Sequence, residues 1–178
     1  MQGRILKNIS NKYFVEEQKT KKVYECYARG KFKKEEIKPV VGDLVIYEVT
    51  DSDEGIIHEI LPRVSYMKRP KIANISQIIL VVSMDMPKPD LLLLDKQLAF
   101  AEYLHIKPML IINKIDLVKE KEYKKIEQIY QMIGYSILIT RADKQENTKC
   151  LYEHLKGEIS VLSGNSGVRQ IDIVKYVI

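Results

Sequence analysis

The sequence holds only two cysteines and three histidines, and both shortages narrow what the chain can be. Cys26 and Cys150 are too few for the disulfide framework of a secreted scaffold and do not have the spacing of a zinc site. Two reduced thiols in a cytosol are the expectation. His58, His105 and His154 share no metal-like spacing with one another or with either cysteine, so they are read as structural and no metal ligand is assigned. The opening "MQGRILKNIS" lacks the apolar core of a signal peptide, and no apolar run approaches the length of a membrane span. Leu91–Leu94 is far too short for one and belongs to a core. A cytoplasmic protein without a membrane partner is expected. There is no disorder-like bias either: the chain is 46% hydrophobic and 30% charged, as globular proteins are. Its 178 residues permit one large domain or two small ones, each able to bury a core.

What is present is unevenly placed. Residues 1–71 carry 15 Lys/Arg against 11 Asp/Glu, so most of the net charge of +5 belongs to them. It is concentrated in "KTKKVYECYARGKFKK", Lys19–Lys34, where Tyr24, Tyr27 and Phe32 are interleaved with the cations. Such a surface suits a phosphate backbone with bases available for stacking, and Arg29, Lys31, Lys33 and Lys34 are the candidate RNA contacts. A solvated strand-and-loop face would carry the same charges.

Two periods divide the chain. "GRILKNIS", "KYFVEE", "KKVYECYAR", "DLVIYEVTD" and "EGIIHEIL" are β-rich, mostly alternating segments, with the Pro and Gly of "KPVVGD" turning the chain before the fourth. Five short strands in a basic segment predict an OB-like barrel, a frequent oligonucleotide-binding scaffold. An SH3-like barrel would give nearly the same pattern. From Gln77 the pattern changes to continuous apolar strands alternating with helices. "QIILVVS" leads to a helix from about Leu91 to His105 that Asp90 can cap, and "KPMLIIN" to an amphipathic helix stopped by Gly134. "YSILIT", "NTKCLYEHLKG" and "EISVLSG" complete the alternation. That order predicts an α/β domain with a mostly parallel sheet, whose ligands bind at the C-terminal ends of the strands. The loops after Ile112, Ile139 and Leu162 are therefore the places to look.

The first of these is "NKIDLV", Asn113 to Val118. An Asp carboxylate in Asn-Lys-x-Asp accepts two parallel N–H bonds from the edge of guanine, and adenine cannot supply that donor pair. Asp116 takes this role, Asn113 fixes the loop and reaches the base, and the stem of Lys114 covers the base face. As a bare tetrapeptide the motif is weak; directly after a buried strand it outweighs a merely capped turn. The second loop, "TRADKQEN", holds Ala142 where guanine-binding folds place a Ser-Ala whose backbone N–H meets the base carbonyl, with Arg141 in the place of Ser. The third holds Gly164, Asn165, Ser166, Gly167 and Val168, the opening of a phosphate-binding loop. The guanine loop precedes the phosphate loop, the reverse of the usual order. Cutting a nucleotide-binding sheet elsewhere and rejoining its ends keeps the same loops on the same edge.

A basic β-barrel, then "NKID", then "GNSGV" in that permuted order resembles the RsgA family (also called YjeQ or YloQ), circularly permuted GTPases that depend on the small ribosomal subunit. The linker "ILPRVSYMKRPKIANISQ" and the stretch "LLDKQLAFAEYLHIKPMLIINKIDLV" resemble it too, and the likeness runs from Gly3 to Val168. It implies an OB-fold followed by a P-loop G domain, GTP and GDP binding with Mg²⁺, and GTP hydrolysis. It also implies maturation of the 30S subunit through its 16S rRNA. A C-terminal zinc domain follows in the family, and its zinc is not expected in this chain. On this basis residues 1–68 are expected to be an RNA- or ribosome-binding barrel and residues 69–178 the N-terminal part of a permuted G domain, in a monomer.

The departures from the family are concentrated after Val168. Arg169 stands where a glycine should admit the phosphates, Gln170 replaces the phosphate-binding Lys, and Ile171 replaces the hydroxyl that holds Mg²⁺. Switch regions and an Asp-x-x-Gly loop are absent, so no catalytic residue is assigned and hydrolysis is expected to be defective. The genetic code allows an explanation. "RQIDIVKYVI" can be back-translated as AGG CAA ATC GAC ATT GTT AAA TAT GTT AT–, and removal of the first base gives Gly-Lys-Ser-Thr-Leu-Leu-Asn-Met-Leu. That completes GNSGVGKST and continues as a helix. The tail therefore reads as a GTP site shifted out of frame one residue past Val168. The rival readings are a non-enzymatic RNA- or ribosome-binding module with a remnant G domain, and a poorly folded product with an exposed sheet edge.

Overall fold

The computed structural model describes residues 1–30, 32, 37–51, 53–141 and 148–164. They fall into two compact units, the first Met1–Ile75 and the second beginning at Ser76.

In the first unit the alternating segments become β1 (Gln2–Ile9), β2 (Lys12–Glu17), β3 (Val23–Ala28), β4 (Leu44–Val49) and β5 (Gly55–Ile60). They close into a barrel in the order β1-β2-β3-β5-β4, with β4 returning to β1. β3 and β5 pair in parallel while the other pairs are antiparallel. This is a closed five-stranded OB-like barrel. The strand period of two places Ile5, Tyr13, Val15, Tyr24, Cys26, Val45, Tyr47 and Ile57 inside as one core. Burial pushes the Cys26 thiol up to about 12, so it packs as a small apolar group and is not a reactive thiolate.

Residues beyond the barrel proper remain with it. β6 (Tyr66–Lys68) and β7 (Lys71–Ala73) form a small antiparallel hairpin, and the Ala73 N–H donates to the Val41 carbonyl at 2.9 Å. The buried Asp43 carboxylate accepts from Arg63 Nε at 2.7 Å and from its second nitrogen at 2.8 Å, and also from the Val40 N–H at 2.8 Å. These bonds carry the first unit past residue 68 to Ile75. Gly42 makes the approach possible. Its φ is +89°, and a Cβ there would lie 2.0 Å from the Ala73 carbonyl oxygen. Gly42→Ala should therefore lower stability by at least about 2 kcal/mol, because a left-handed conformation and a backbone clash are imposed together. Urea unfolding of the variant against the parent chain measures it.

In the second unit β8 (Gln77–Ser83), β9 (Lys107–Asn113), β10 (Ser136–Ile139) and β11 (Ser160–Gly164) form a parallel sheet ordered β10-β9-β8-β11. α1 (Leu91–Tyr103), α2 (Glu120–Ile133) and α3 (Thr148–Leu155) connect them. Asp90 caps α1 by accepting from the Leu93 N–H at 3.0 Å, and Gly134 ends α2 with φ 105°. Ile79, Val81, Met109, Ile111 and Leu138 form one core with Leu151 of α3. α1 buries Leu94, Leu98 and Ala101 against β8 and β9, and none of the three belongs to that core. Strand order reverses at β8, between β9 and β11. In open α/β sheets such a reversal opens a crevice at the C-terminal strand ends.

Candidate functional site

β9 delivers the site. Met109 to Asn113 is wholly buried, so the chain emerges at the sheet's C-terminal edge from a rigid support. The strand stops because Lys114 takes the left-handed conformation, φ 62° and ψ 38°, and a single 3-10 turn Ile115–Leu117 follows.

Asn113 holds this bend. Its Oδ1 accepts from the Lys114 N–H at 2.8 Å and from the Thr140 hydroxyl at 3.1 Å. Thr140 is itself buried, and its own N–H donates to the Ile112 carbonyl at 2.9 Å. The Asn113 amide group is therefore oriented before any ligand arrives, with its carbonyl oxygen turned to the protein.

Lys114 is 8% exposed, unusual for a lysine, and its ammonium finds acceptors across the sheet edge. Nζ donates to the Asp85 carbonyl at 3.1 Å and to the Met86 carbonyl at 2.6 Å, in the loop that follows β8. A buried ammonium needs such partners, and here they stretch its aliphatic stem along the edge. Ser83 braces the same loop by donating to the Asp85 carbonyl at 2.5 Å. Asp116 differs from both. It sits in the first turn after the bend and is exposed, so its carboxylate is open to a ligand while its neighbours are fixed.

Gly164 ends β11 at the same edge, paired with Val81 of β8. Asn165, Ser166, Gly167 and Val168 lie outside the described residues, as does Ala142. The donor set fits a guanine base: an exposed carboxylate for the paired N–H groups, beside an oriented amide and a stretched lysine stem. Arg169, Gln170 and Ile171, which follow the opening of the phosphate loop in the sequence, also lie outside the described residues.

Two supports of this site lay beyond sequence reasoning. Thr140 directly follows β10, and only the parallel pairing of β10 with β9 brings its hydroxyl to Asn113. The carbonyls of Asp85 and Met86 carry no side-chain signal at all.

On the barrel, the structure corrects one expectation. Tyr24 and Phe32 are 9% and 5% exposed and belong to the core, so neither ring projects from the outer surface of the barrel. Tyr27 is half-buried and Arg29 is exposed at the end of β3, whereas Lys31, Lys33 and Lys34 lie outside the described residues. No helix of the described residues is long and apolar enough to cross a membrane.

Comparison with known proteins identifies what the chain resembles. The RsgA GTPase family model matches residues 60–175, and the RsgA N-terminal domain model matches residues 2–57. The small ribosomal subunit biogenesis GTPase RsgA of Caldanaerobacter subterraneus subsp. tengcongensis is 37% identical over 177 residues, covering 99% of this chain and 59% of the relative. The protein of the same name in Ruminiclostridium cellulolyticum is 39% identical over 177 residues, covering 98% and 58%. The crystal structure of YjeQ from Thermotoga maritima superposes with a TM-score of 0.89 at 32% identity, covering 99% of this chain and 64% of that one. YloQ, described as a circularly permuted GTPase, gives 0.83 at 32% identity, covering 98% and 63%. The chain thus spans less than two thirds of the length of each of these proteins.

Proposed function

This chain belongs to the RsgA family of circularly permuted GTPases, and from that premise we propose that it is a guanine-nucleotide-binding factor of small-subunit ribosome biogenesis whose phosphate site is incomplete. The observation that carries the reading is the bend after β9. Asn113 and Lys114 are already held there by Thr140, Asp85 and Met86, while Asp116 stands free to read a base. Ala142 would add a backbone N–H to the base carbonyl, and Gly164–Val168 would begin the cradle for GTP or GDP phosphates. With Arg169, Gln170 and Ile171 in place of the glycine, lysine and hydroxyl residue, hydrolysis is defective in the chain as it stands. The tail is proposed to be a frameshift product, read out of register from codon 169.

The division of labour follows the two units. The first unit, Met1–Ile75, with the barrel expected over residues 1–68, binds RNA or the ribosome, and the second, from Ser76, carries the nucleotide half. The partner is the 30S subunit through its 16S rRNA, in the cytoplasm. Charge carries the interaction, through Arg29, Lys31, Lys33 and Lys34. Changing all four to glutamine in the full chain should weaken RNA or 30S binding about tenfold or more and flatten its salt dependence, by roughly 0.7 in slope for each phosphate no longer neutralised. Titration by fluorescence anisotropy at several salt concentrations measures both quantities. Unchanged affinity and slope would place the RNA surface elsewhere and leave these cations as a solvated face.

A second reading keeps the barrel's role and treats the nucleotide half as scaffold. Gln170 at the phosphate lysine position favours it. Competition by GDP and ADP separates the two: a working base reader discriminates between them even at millimolar affinity, and a scaffold does not.

A further inference from the structure

We propose that a cavity in the barrel wall takes one unstacked nucleotide of a single-stranded RNA, its base inside and its phosphate at the rim. This rests on the RNA-binding reading of the barrel and names the site at which the strand is gripped.

The cavity measures about 400 Å³, within the range of small-molecule sites. It opens between the turn that joins β1 to β2, the end of β3, and the residues that lead into β4. Its floor is aromatic. Tyr13 and Phe32 line it while only 6% and 5% exposed. The Tyr13 hydroxyl has no hydrogen-bond partner among the described residues, although the ring is almost wholly buried. Burial first, and then the charge of Asp43, raise its pKa, so it remains a neutral O–H able to donate or accept. An orphan hydroxyl on an apolar floor is the arrangement that fixes the orientation of a flat polar ring.

Tyr27 stands at the mouth of the cavity, its ring on the outer face of β3 with Lys12 Nζ 5.7 Å from the ring centre. Its hydroxyl donates to the Glu25 carboxylate at 2.9 Å, and Glu25 in turn accepts from Lys12 at 2.5 Å. The ring is thereby held in place before a ligand arrives, which lowers the entropy lost on stacking. Arg29 and Lys38 stand at the rim, both exposed, with Asn11 nearby. Lys38 is anchored through its carbonyl, which accepts from Arg63 at 2.9 Å. A flat aromatic slot edged by two cations and an amide matches a base joined to a phosphate. A base within a duplex has both faces stacked and cannot enter, so the ligand is single-stranded.

The test uses the full 178-residue chain and a labelled oligoribonucleotide of about ten residues, within the span that OB folds cover. Tyr27→Ala should weaken binding about tenfold or more while leaving the salt slope unchanged, since it removes stacking and not charge. Lys38→Gln should lower the slope by roughly 0.7. Tyr13→Phe keeps the core volume and should change the relative affinity for strands of different base by severalfold. Urea unfolding confirms that each variant is folded. If the chain binds RNA and Tyr27→Ala stays within twofold, the cavity is not the grip, although RNA binding stands. Absence of RNA binding by the full chain overturns both readings. Adenosine monophosphate is the remaining arm, because Asp116 rejects adenine at the other site. If it binds at the cavity and RNA does not, the ligand is a free nucleotide and the strand is ruled out.

Discussion

Removing one base after the Val168 codon should raise the affinity for GTP by about 10⁴-fold or more. The adjacent frame of the back-translated tail restores Gly-Lys-Ser-Thr after Val168. That returns a lysine to the phosphates, a hydroxyl to Mg²⁺, and further backbone N–H donors to the loop. Each is a charge-assisted interaction of about 1.5–3 kcal/mol, and two or three of them supply the roughly 5.5 kcal/mol that such a ratio requires. The proposed base-reading loop needs no change, because Asn113 and Lys114 are already fixed by their own hydrogen bonds. The chain as it stands should bind GTP more weakly than micromolar, with guanine still preferred. Isothermal titration of the two chains side by side measures the ratio. Micromolar or tighter Mg²⁺-dependent binding by the present chain would show that the phosphates are held by groups other than the missing ones.

The second large effect belongs to Asp116. In the repaired frame, Asp116→Asn should reduce GTP affinity by about 100-fold or more and raise that for xanthosine triphosphate. In its proposed role the carboxylate accepts two N–H bonds from guanine; an amide offers one acceptor and turns a donor toward the second N–H. Against xanthine, which presents a carbonyl there, the same donor is matched. Sites built on such pairs discriminate strongly because a mismatch leaves a polar group unpaired. Equal loss for both nucleotides would mean that Asp116 supports the loop and does not read the base. The substitution sits on an exposed 3-10 turn, so the fold should be unaffected.

Much of this architecture was legible because each half writes its structure in a local period. The alternation in "KYFVEE" puts Tyr13 and Val15 inward as β2, and the unbroken "QIILVVS" is a strand covered on both faces. Gly134 stops α2 where a left-handed residue is required. What escaped is long-range. The parallel pairing of β3 with β5 distinguishes an OB barrel from an SH3-like one, and no local pattern encodes it. The β6–β7 hairpin consists of three-residue strands on either side of Arg69-Pro70, too short to show a period.

The basic stretch misled for a related reason. Within β3, Tyr24 and Cys26 share the inner face of the pleat, while Val23, Glu25 and Tyr27 take the outer one. Interleaving of cations and rings along a sequence does not say which side of a strand each ring occupies. At the site, the order Asn-Lys-x-Asp was readable, but the groups that orient it were not. Thr140 reaches Asn113 only through the β9–β10 pairing, and Lys114 is held by main-chain carbonyls.

The nucleotide sequence of the locus around codon 169 tests the central claim most directly. A guanine site shifted out of frame predicts one extra base after the Val168 codon, with Gly-Lys-Ser-Thr and a Leu/Asn helix in the adjacent frame. An Asp-x-x-Gly loop and then a Cys/His cluster should follow further along. Stop codons, or unrelated residues where Gly-Lys-Ser should stand, would contradict it.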